Sequence, residues 1–222
     1  WKDFQARNNN ELADIFGNFI NRVVVLTNKY YDGVVPAKGD LEPIDQEALV
    51  DLNSSKARIS EALDAFKFRE AQAEAMNLAR VGNKYFAETE PWKLIKTDPD
   101  RVQSVMNVAI QIAANLSVAF EPFLPNSTAK LREMLQLNHL EWSDLGRADL
   151  IPDGHQIGKG QVLFPKIDDK VIEEQIEKLK SANAATSKFP PMKDEIKFED
   201  FTKLDVRVGE IIEASKHPDA DK

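Results

Sequence analysis

The feature that most constrains this chain is a long helical repeat of apolar residues near its start, from Asp3 to Gly33. On an ideal helix at about 100° per residue, one half of the cylinder collects almost all of the apolar side chains in this stretch. They are Leu12, Ile15, Phe16, Phe19, Ile20, Val23, Val24, Leu26, Tyr30 and Tyr31, together with Thr27. The sequence therefore predicts one long amphipathic helix with its apolar half buried.

The opposite strip of this helix is polar. It carries Glu11, Asp14, Asn18, Asn21, Arg22 and Lys29, with Val25 as its one apolar residue. Asn18 and Arg22 are four residues apart, so their side chains point the same way about one turn apart. An amide that donates and accepts, next to a planar fork of donors, could hydrogen-bond the edge of an unpaired base. A solvated helix face is the alternative interpretation.

The helical pattern continues through most of the chain, interrupted by prolines and by the capping residue Asp98. Four more helices are predicted at residues 43–67, 69–88, 99–121 and 127–137, and a sixth follows Asp168 to about residue 182. An extended segment near residues 155–167 precedes the sixth helix. Five helices with short connections predict an all-α fold, a helical bundle of five main helices plus a C-terminal helix.

We expect three parts in the chain: a helical domain of residues 1–183, a linker of residues 184–195 and a final segment of residues 196–222. The linker is rich in alanine, serine and proline. The final segment alternates like a strand from Leu204 to Ile212, but it is only about a quarter of a small barrel, so we expect it to be disordered. The chain starts at Trp1 and stops at Lys222 within this patterned stretch, which suggests a piece of a longer protein.

Composition limits the possible functions. The 222 residues are 42% apolar and 30% charged, as in ordinary soluble proteins, and no run approaches the roughly 18 apolar residues of a membrane span. A net charge of −8 argues against a general nucleic-acid binder, so any RNA contact must be local. Without cysteine, and with three dispersed histidines, the sequence suggests no catalytic triad and no metal site.

A second candidate for base binding is Trp92, which follows Pro91 at a corner between helices and is flanked by Lys93 and Lys96. A tryptophan held at a helix end can offer a flat face to a flipped-out base. Alternatively, Trp92 fills a gap in the bundle core.

Several short motifs resemble the anticodon-binding domain of methionyl-tRNA synthetase. They cover about the first 180 residues: Trp1-Lys2-Asp3-Phe4, Asn10-Glu11-Leu12-Ala13, Gly17-Asn18, Asn21-Arg22, Tyr31-Asp32-Gly33, Asn83, Tyr85, Pro91-Trp92 and Leu163-Phe164-Pro165-Lys166-Ile167. The tail from Ile196, with Leu204-Asp205-Val206-Arg207-Val208-Gly209, is similar to the truncated start of the oligonucleotide-binding (OB-fold) tRNA-binding module that follows many such synthetases.

The resemblance implies that this class I family's anticodon readers correspond to Asn18, Arg22 and Trp92. Trp92 would stack on the first anticodon base, a cytosine, while Asn18 and Arg22 would meet the edges of the splayed bases. We further expect phosphate contacts from Lys29, Lys93, Lys96 and Arg101, which the resemblance does not supply.

The implied function is recognition of the CAU anticodon of methionine tRNA by the C-terminal part of methionine–tRNA ligase, a cytoplasmic enzyme. Its catalytic domain, on the same polypeptide, would use ATP, methionine and zinc, and the missing module could make the parent a homodimer. The nucleotide-binding signatures of class I catalytic domains do not occur in the sequence. We therefore expect no catalytic residues, no metal, no cofactor and no membrane partner here. A helical scaffold that binds only proteins is the alternative, and an independent enzyme is a third possibility.

Overall fold

A computed structural model of the chain describes residues 1–138, 140–186, 197–205 and 207–213. The chain divides into two compact units, Trp1–Ile176 and Glu177–Lys222. Helices dominate the first unit, and the described residues contain no strand longer than one isolated bridge. The predicted all-α fold is confirmed.

The predicted first helix forms, but its winding is not uniform. Helix α1 (Lys2–Arg7) leads into a π-helix (Asn8–Gly17) and then into helix α2 (Asn18–Tyr31). The expectation of regular α-helical spacing is therefore wrong for the middle third, where the turn is wider. The apolar half is nevertheless largely buried: Phe16, Phe19, Ile20, Val23, Val24 and Thr27 are fully buried, and Leu12, Ile15, Leu26, Tyr30 and Tyr31 partly so.

The next helices are α3 (Pro43–Asp64), α4 (Phe68–Thr89), α5 (Pro91–Leu94), α6 (Pro99–Ala119) and α7 (Pro125–Met134). Four of them lie close to their predicted positions, whereas the short α5 was predicted only as a corner between helices. Proline begins four of these helices, at a position where a missing N–H is tolerated.

Helix α6 is the centre of the core. Every residue from 104 to 119 is buried. Its length and composition would suit a membrane span, but 94% of its apolar window is buried inside the protein, which is the environment of a core helix. Around it pack the apolar faces of α2, α3, α4 and α7.

Two amides on α6 bond the backbone of the irregular chain that follows α7, which we call the strap (residues 145–167). The Asn115 amide bonds the backbone of Gly146 and Arg147, both at 2.7 Å. Gln111 makes a reciprocal pair with the backbone of Ile151, at 2.7 and 3.1 Å. The strap then meets the exit of α2 through a bridge between Val34 and Gln156. The predicted extended segment near residues 155–167 is the second half of the strap.

Asparagines of the π-helix bind the end of the strap. Asn9 accepts a hydrogen bond from the backbone N–H of Ile167 at 2.9 Å and donates to the Ile167 carbonyl at 3.0 Å. Asn8 donates to the carbonyl of Pro165 at 3.0 Å. These bonds satisfy an extended backbone that has no neighbouring strand.

Helix α8 (Asp169–Thr186) is a few residues longer than predicted. Most of the predicted linker, residues 187–195, lies outside the described residues. Beyond it is a short helix, α9 (Phe198–Phe201). The strand pattern from Leu204 to Ile212 does not produce a strand in the residues described there, which are exposed. An extended segment needs a partner sheet to form a stable strand, and these exposed apolar residues have none among the described residues.

Candidate functional site

The corner that carries Trp92 is fixed at both ends, by the backbone before it and by a helix cap after it. Helix α4 ends with Glu90 in the left-handed region, at φ 40°, and Pro91 starts α5 immediately afterwards. On the far side, the Asp98 carboxylate accepts from the Arg101 N–H at 3.0 Å and caps α6, as predicted. The short α5 therefore has little freedom to reorient Trp92.

Trp92 and Arg22 lie side by side at the junction of α2, α4 and α5. The guanidinium carbon of Arg22 is 6.0 Å from the centre of the Trp92 ring and 6.0 Å from that of Phe86. Trp92 is half-buried and meets Phe86 edge to face, with ring centres 6.4 Å apart. The indole is thus neither sealed inside the core nor isolated on the surface. It packs partly against the core, and its role in base stacking stays a prediction.

Arg22 is oriented by neutral groups. Its Nη2 donates to the side-chain oxygen of Asn83, and its Nε donates to the Asn18 carbonyl at 3.4 Å. Burial lowers the pKa of Arg22 from its usual value, although an arginine stays charged at neutral pH. Across the described part of the chain, no carboxylate forms an ion pair with Arg22. Its positive charge remains available to a ligand.

Asn18 lies one turn before Arg22 and is exposed. Its amide nitrogen donates to the Asp14 carbonyl at 3.2 Å, while its side-chain oxygen has no partner among the described residues. Asn18 therefore offers an acceptor beside the donors of Arg22. This arrangement can bind a ring edge that has both an amino group and ring acceptors.

A cleft of about 260 Å³ lies along the same helix and also includes Asn18. It runs between the π-helix, the start of α2 and the strap, and Lys166 spans it in an ion pair with Asp14 at 2.8 Å. It is lined by Ala13, Asp14, Gly17, Asn18, Asn21 and Gln161 to Lys166.

Beneath the corner, a buried polar network joins α3, α4 and α6. The Tyr85 hydroxyl donates to Asp45 at 2.6 Å, and Arg101 Nη2 bonds the same carboxylate oxygen at 2.7 Å. Burial, followed by the bond to Asp45, raises the pKa of Tyr85. The expected phosphate contact from Arg101 is therefore wrong, because its side chain is 9% exposed and is used by Asp45 and Glu42.

The other expected phosphate contacts, Lys29, Lys93 and Lys96, are exposed. Lys93 forms an ion pair with Glu90 at 2.7 Å, and Lys29 lies over the ring of Tyr30. Their role stays a prediction.

Comparison with known proteins identifies the family. The family model described as "Anticodon binding domain of methionyl tRNA ligase" matches residues 35–184, which is more than half of the chain. The chain belongs to this family. The matched range includes Trp92 and Asn83, whereas Asn18 and Arg22 precede it.

Relatives of this family match the whole chain. A methionine–tRNA ligase of Bacteroides fragilis is 54% identical over 226 residues, covering 100% of this chain and 33% of the relative. One of Phocaeicola vulgatus is 56% identical over 98% of this chain and 33% of the relative. The chain thus spans about a third of the length of the curated relatives it matches. The structure of apo Mycobacterium tuberculosis methionyl-tRNA synthetase has the same fold, with a TM-score of 0.67, 22% identity, and coverage of 74% of this chain and 34% of that one.

Sequence reasoning placed Asn18, Arg22 and Trp92 in one candidate site, and the structure brings Arg22 and Trp92 together with Asn18 adjacent. It did not identify Asn83 as a site residue. The motif comparison named Asn83, but only tertiary packing shows that its amide touches Arg22. The described residues include no cluster of three or more histidine or acidic side chains suited to a metal ion.

Proposed function

We propose that this chain binds the anticodon loop of methionine tRNA and distinguishes its CAU sequence through Asn18, Arg22 and Trp92. The observation that carries the proposal is the contact between Arg22 and Trp92, with the guanidinium carbon 6.0 Å from the ring centre. A planar cation and an aromatic ring at one partly open junction provide hydrogen bonds and stacking for an unpaired base. Membership in the anticodon-binding family supports this choice of ligand.

The roles follow from the free donors and acceptors. The exposed part of the Trp92 indole stacks on the first anticodon base, a cytosine. Within the part of the chain that the structure describes, Arg22 keeps unused N–H donors on Nη1, which suit the acceptor atoms of the pyrimidine edge. The free oxygen of Asn18 suits the exocyclic amino group of cytosine. A uracil at the first position would present a carbonyl where that amino group belongs, leaving two acceptors facing each other.

We also propose the context of this domain. The parent is a cytoplasmic methionine–tRNA ligase whose catalytic part uses ATP, methionine and zinc, and which dimerises through its C-terminal module. The similarity to much longer ligases supports a separate catalytic region, and we propose that this chain alone does not catalyse. The proposed division is a helical domain of residues 1–183, a linker of residues 184–195 and the start of a tRNA-binding module at residues 196–222. The end of the family match at residue 184 supports it.

The direct test is titration of the full 222-residue chain with two anticodon stem-loops that differ only at the first anticodon base, CAU against UAU. One mismatched base costs roughly 1 to 3 kcal/mol at a site that reads its edge, so we expect about tenfold or greater preference for CAU. Equal binding of the two stem-loops would contradict anticodon reading. No binding of either would favour the protein-interaction scaffold, which a search for protein partners would then address.

A further inference from the structure

The Asn83 side chain bonds both the π-helix and α2, the two consecutive parts of the first long helix. It projects from α4, one turn before Phe86, and reaches the junction of the π-helix with α2. Its side-chain oxygen accepts from Arg22 Nη2, while its nitrogen donates to the Ile15 carbonyl at 2.6 Å. Both ends of one amide are therefore used, one by the π-helix and the other by the guanidinium.

The bond to Ile15 fixes which atom Arg22 meets. An amide whose nitrogen is committed to a carbonyl must turn its oxygen toward the other neighbour. The Arg22 fork is then bonded on one edge by Asn83 and rests against the rings of Phe86 and Trp92. An arginine without such a partner can rotate about several side-chain bonds, and it loses this conformational freedom only when a ligand binds. That loss of entropy weakens binding.

A neutral partner also preserves the charge of Arg22. A neighbouring contact between α4 and the π-helix shows the contrast. One turn earlier on α4, Arg80 forms an ion pair with the carboxylate of Glu11 in the π-helix at 2.7 Å. That pair neutralises its arginine. Asn83 instead orients Arg22 without supplying a negative charge that would repel RNA phosphates.

We propose that Asn83 is a positioning residue that holds the Arg22 guanidinium in the orientation needed to distinguish the bound base. This inference rests on the proposed function of the Arg22 and Trp92 site. It adds a residue that contacts no base itself and acts only through Arg22. It also assigns a role to the π-helix, whose Ile15 carbonyl sets the direction of the Asn83 amide.

The test is a double-mutant cycle on the full chain, measured as stem-loop binding. We expect Asn83→Ala to bind the CAU stem-loop about tenfold more weakly, the effect of losing one hydrogen bond to a charged group, and to lose most of its preference over UAU. In an Arg22→Ala background, the same Asn83→Ala change should have no further effect, because its partner is gone. Persistence of the full loss in that background would overturn the proposal.

Arg80→Ala is the matched control, because it removes the neighbouring ion pair between α4 and the π-helix and leaves the contacts of Arg22 unchanged. It should leave the preference for CAU unchanged, and an equal loss in Arg80→Ala would mean that Asn83 acts only on helix packing.

Asn83→Asp keeps the acceptor but adds a negative charge. We expect weaker binding and a salt dependence of the binding constant that is shallower by about one unit of slope; tighter binding would contradict the role of a neutral partner.

A measurement without RNA separates this inference from the proposed function. Nitrogen NMR of the free chain reports rotation about the Arg22 Nε–Cζ bond. We expect resolved, slowly exchanging Nη signals in the wild-type chain and in Arg80→Ala, and averaged signals in Asn83→Ala. Averaged signals in the wild-type chain would overturn the positioning role even if the stem-loops are distinguished. Resolved signals in a chain that does not bind RNA would leave Asn83 as the residue that orients Arg22 and remove only the anticodon assignment.

Discussion

The guanidinium carbon of Arg22 lies 6.0 Å from the centre of the Trp92 ring, although the two residues belong to separate helices with α3 and α4 between them in sequence. Phe86 contacts both side chains and forms the floor of their junction. Arg22 and Trp92 are only partly buried, so neither belongs to the fully buried core. This construction predicts that the site can be altered without unfolding the bundle.

Replacing Trp92 with alanine should weaken binding of the CAU stem-loop by roughly 1 to 3 kcal/mol, because the stacking surface is lost. Helical content measured by circular dichroism should stay unchanged. Trp142 is a suitable comparison, since it is also half-buried but donates to Ser60 at 3.0 Å away from the candidate site. Trp142→Phe should bind like the wild-type chain. Loss of helix in Trp92→Ala would assign this tryptophan to the core instead.

Replacing Arg22 with lysine should reduce the preference for CAU over UAU while leaving the salt dependence of binding nearly unchanged. The positive charge is kept, but the planar fork that bonds Asn83 and the base is lost. Binding titrations of both stem-loops at several salt concentrations measure the two effects separately. Lys29→Ala should show the opposite pattern, with a shallower salt slope and an unchanged preference. A lysine variant that discriminates normally would rule out base-edge bonding by Arg22.

Sequence patterns predicted the positions of the candidate side chains more successfully than they predicted the surroundings of those side chains. Helical periodicity placed Asn18 and Arg22 on the exposed strip, and proline and capping signals placed Trp92 at a corner. Periodicity could not anticipate the π-helix, because the asparagines that accompany it bond a strap more than 150 residues away in sequence. The burial of Arg101 was also missed, since a charged residue in a first helical turn is ordinarily exposed.

Replacing Arg101 with methionine should destabilise the chain by about 3 to 5 kcal/mol. The fully buried Asp45 carboxylate would lose its charged partner and keep two neutral donors, the Tyr85 hydroxyl and the Glu42 backbone N–H. Urea unfolding followed by circular dichroism measures the change in free energy. Arg7→Met removes an exposed pair with Asp3 and should change stability by less than about 0.5 kcal/mol. Similar effects of the two variants would contradict the structural role given to the buried network.

Replacing Tyr31 with phenylalanine should stabilise the chain by about 1 kcal/mol at neutral pH, since its buried hydroxyl has no hydrogen-bond partner among the described residues. Burial raises the pKa of Tyr31 to about 12. Between pH 10 and 12 the unfolded chain therefore releases this proton while the folded chain keeps it, and the free energy of unfolding falls as pH rises.

Tyr31→Phe should make that alkaline decline shallower. Urea unfolding at pH 7, 9, 10 and 11 measures both effects. An unchanged pH dependence in Tyr31→Phe would show that Tyr31 does not retain its proton on folding.

The amides of Asn115 and Gln111 lie four residues apart on α6, so they present bonding positions at a spacing of about 6 Å. The backbone they hold must match that spacing between Gly146 and Ile151. Adding or deleting a single amino acid there would carry one contact out of reach. The connection between α2 and α3 is held in the same way, since Asn107 donates to the Pro36 carbonyl and Ser104 accepts from the Gly39 N–H. Length variation among related proteins should accordingly be rare between positions 146 and 151 and between positions 36 and 39.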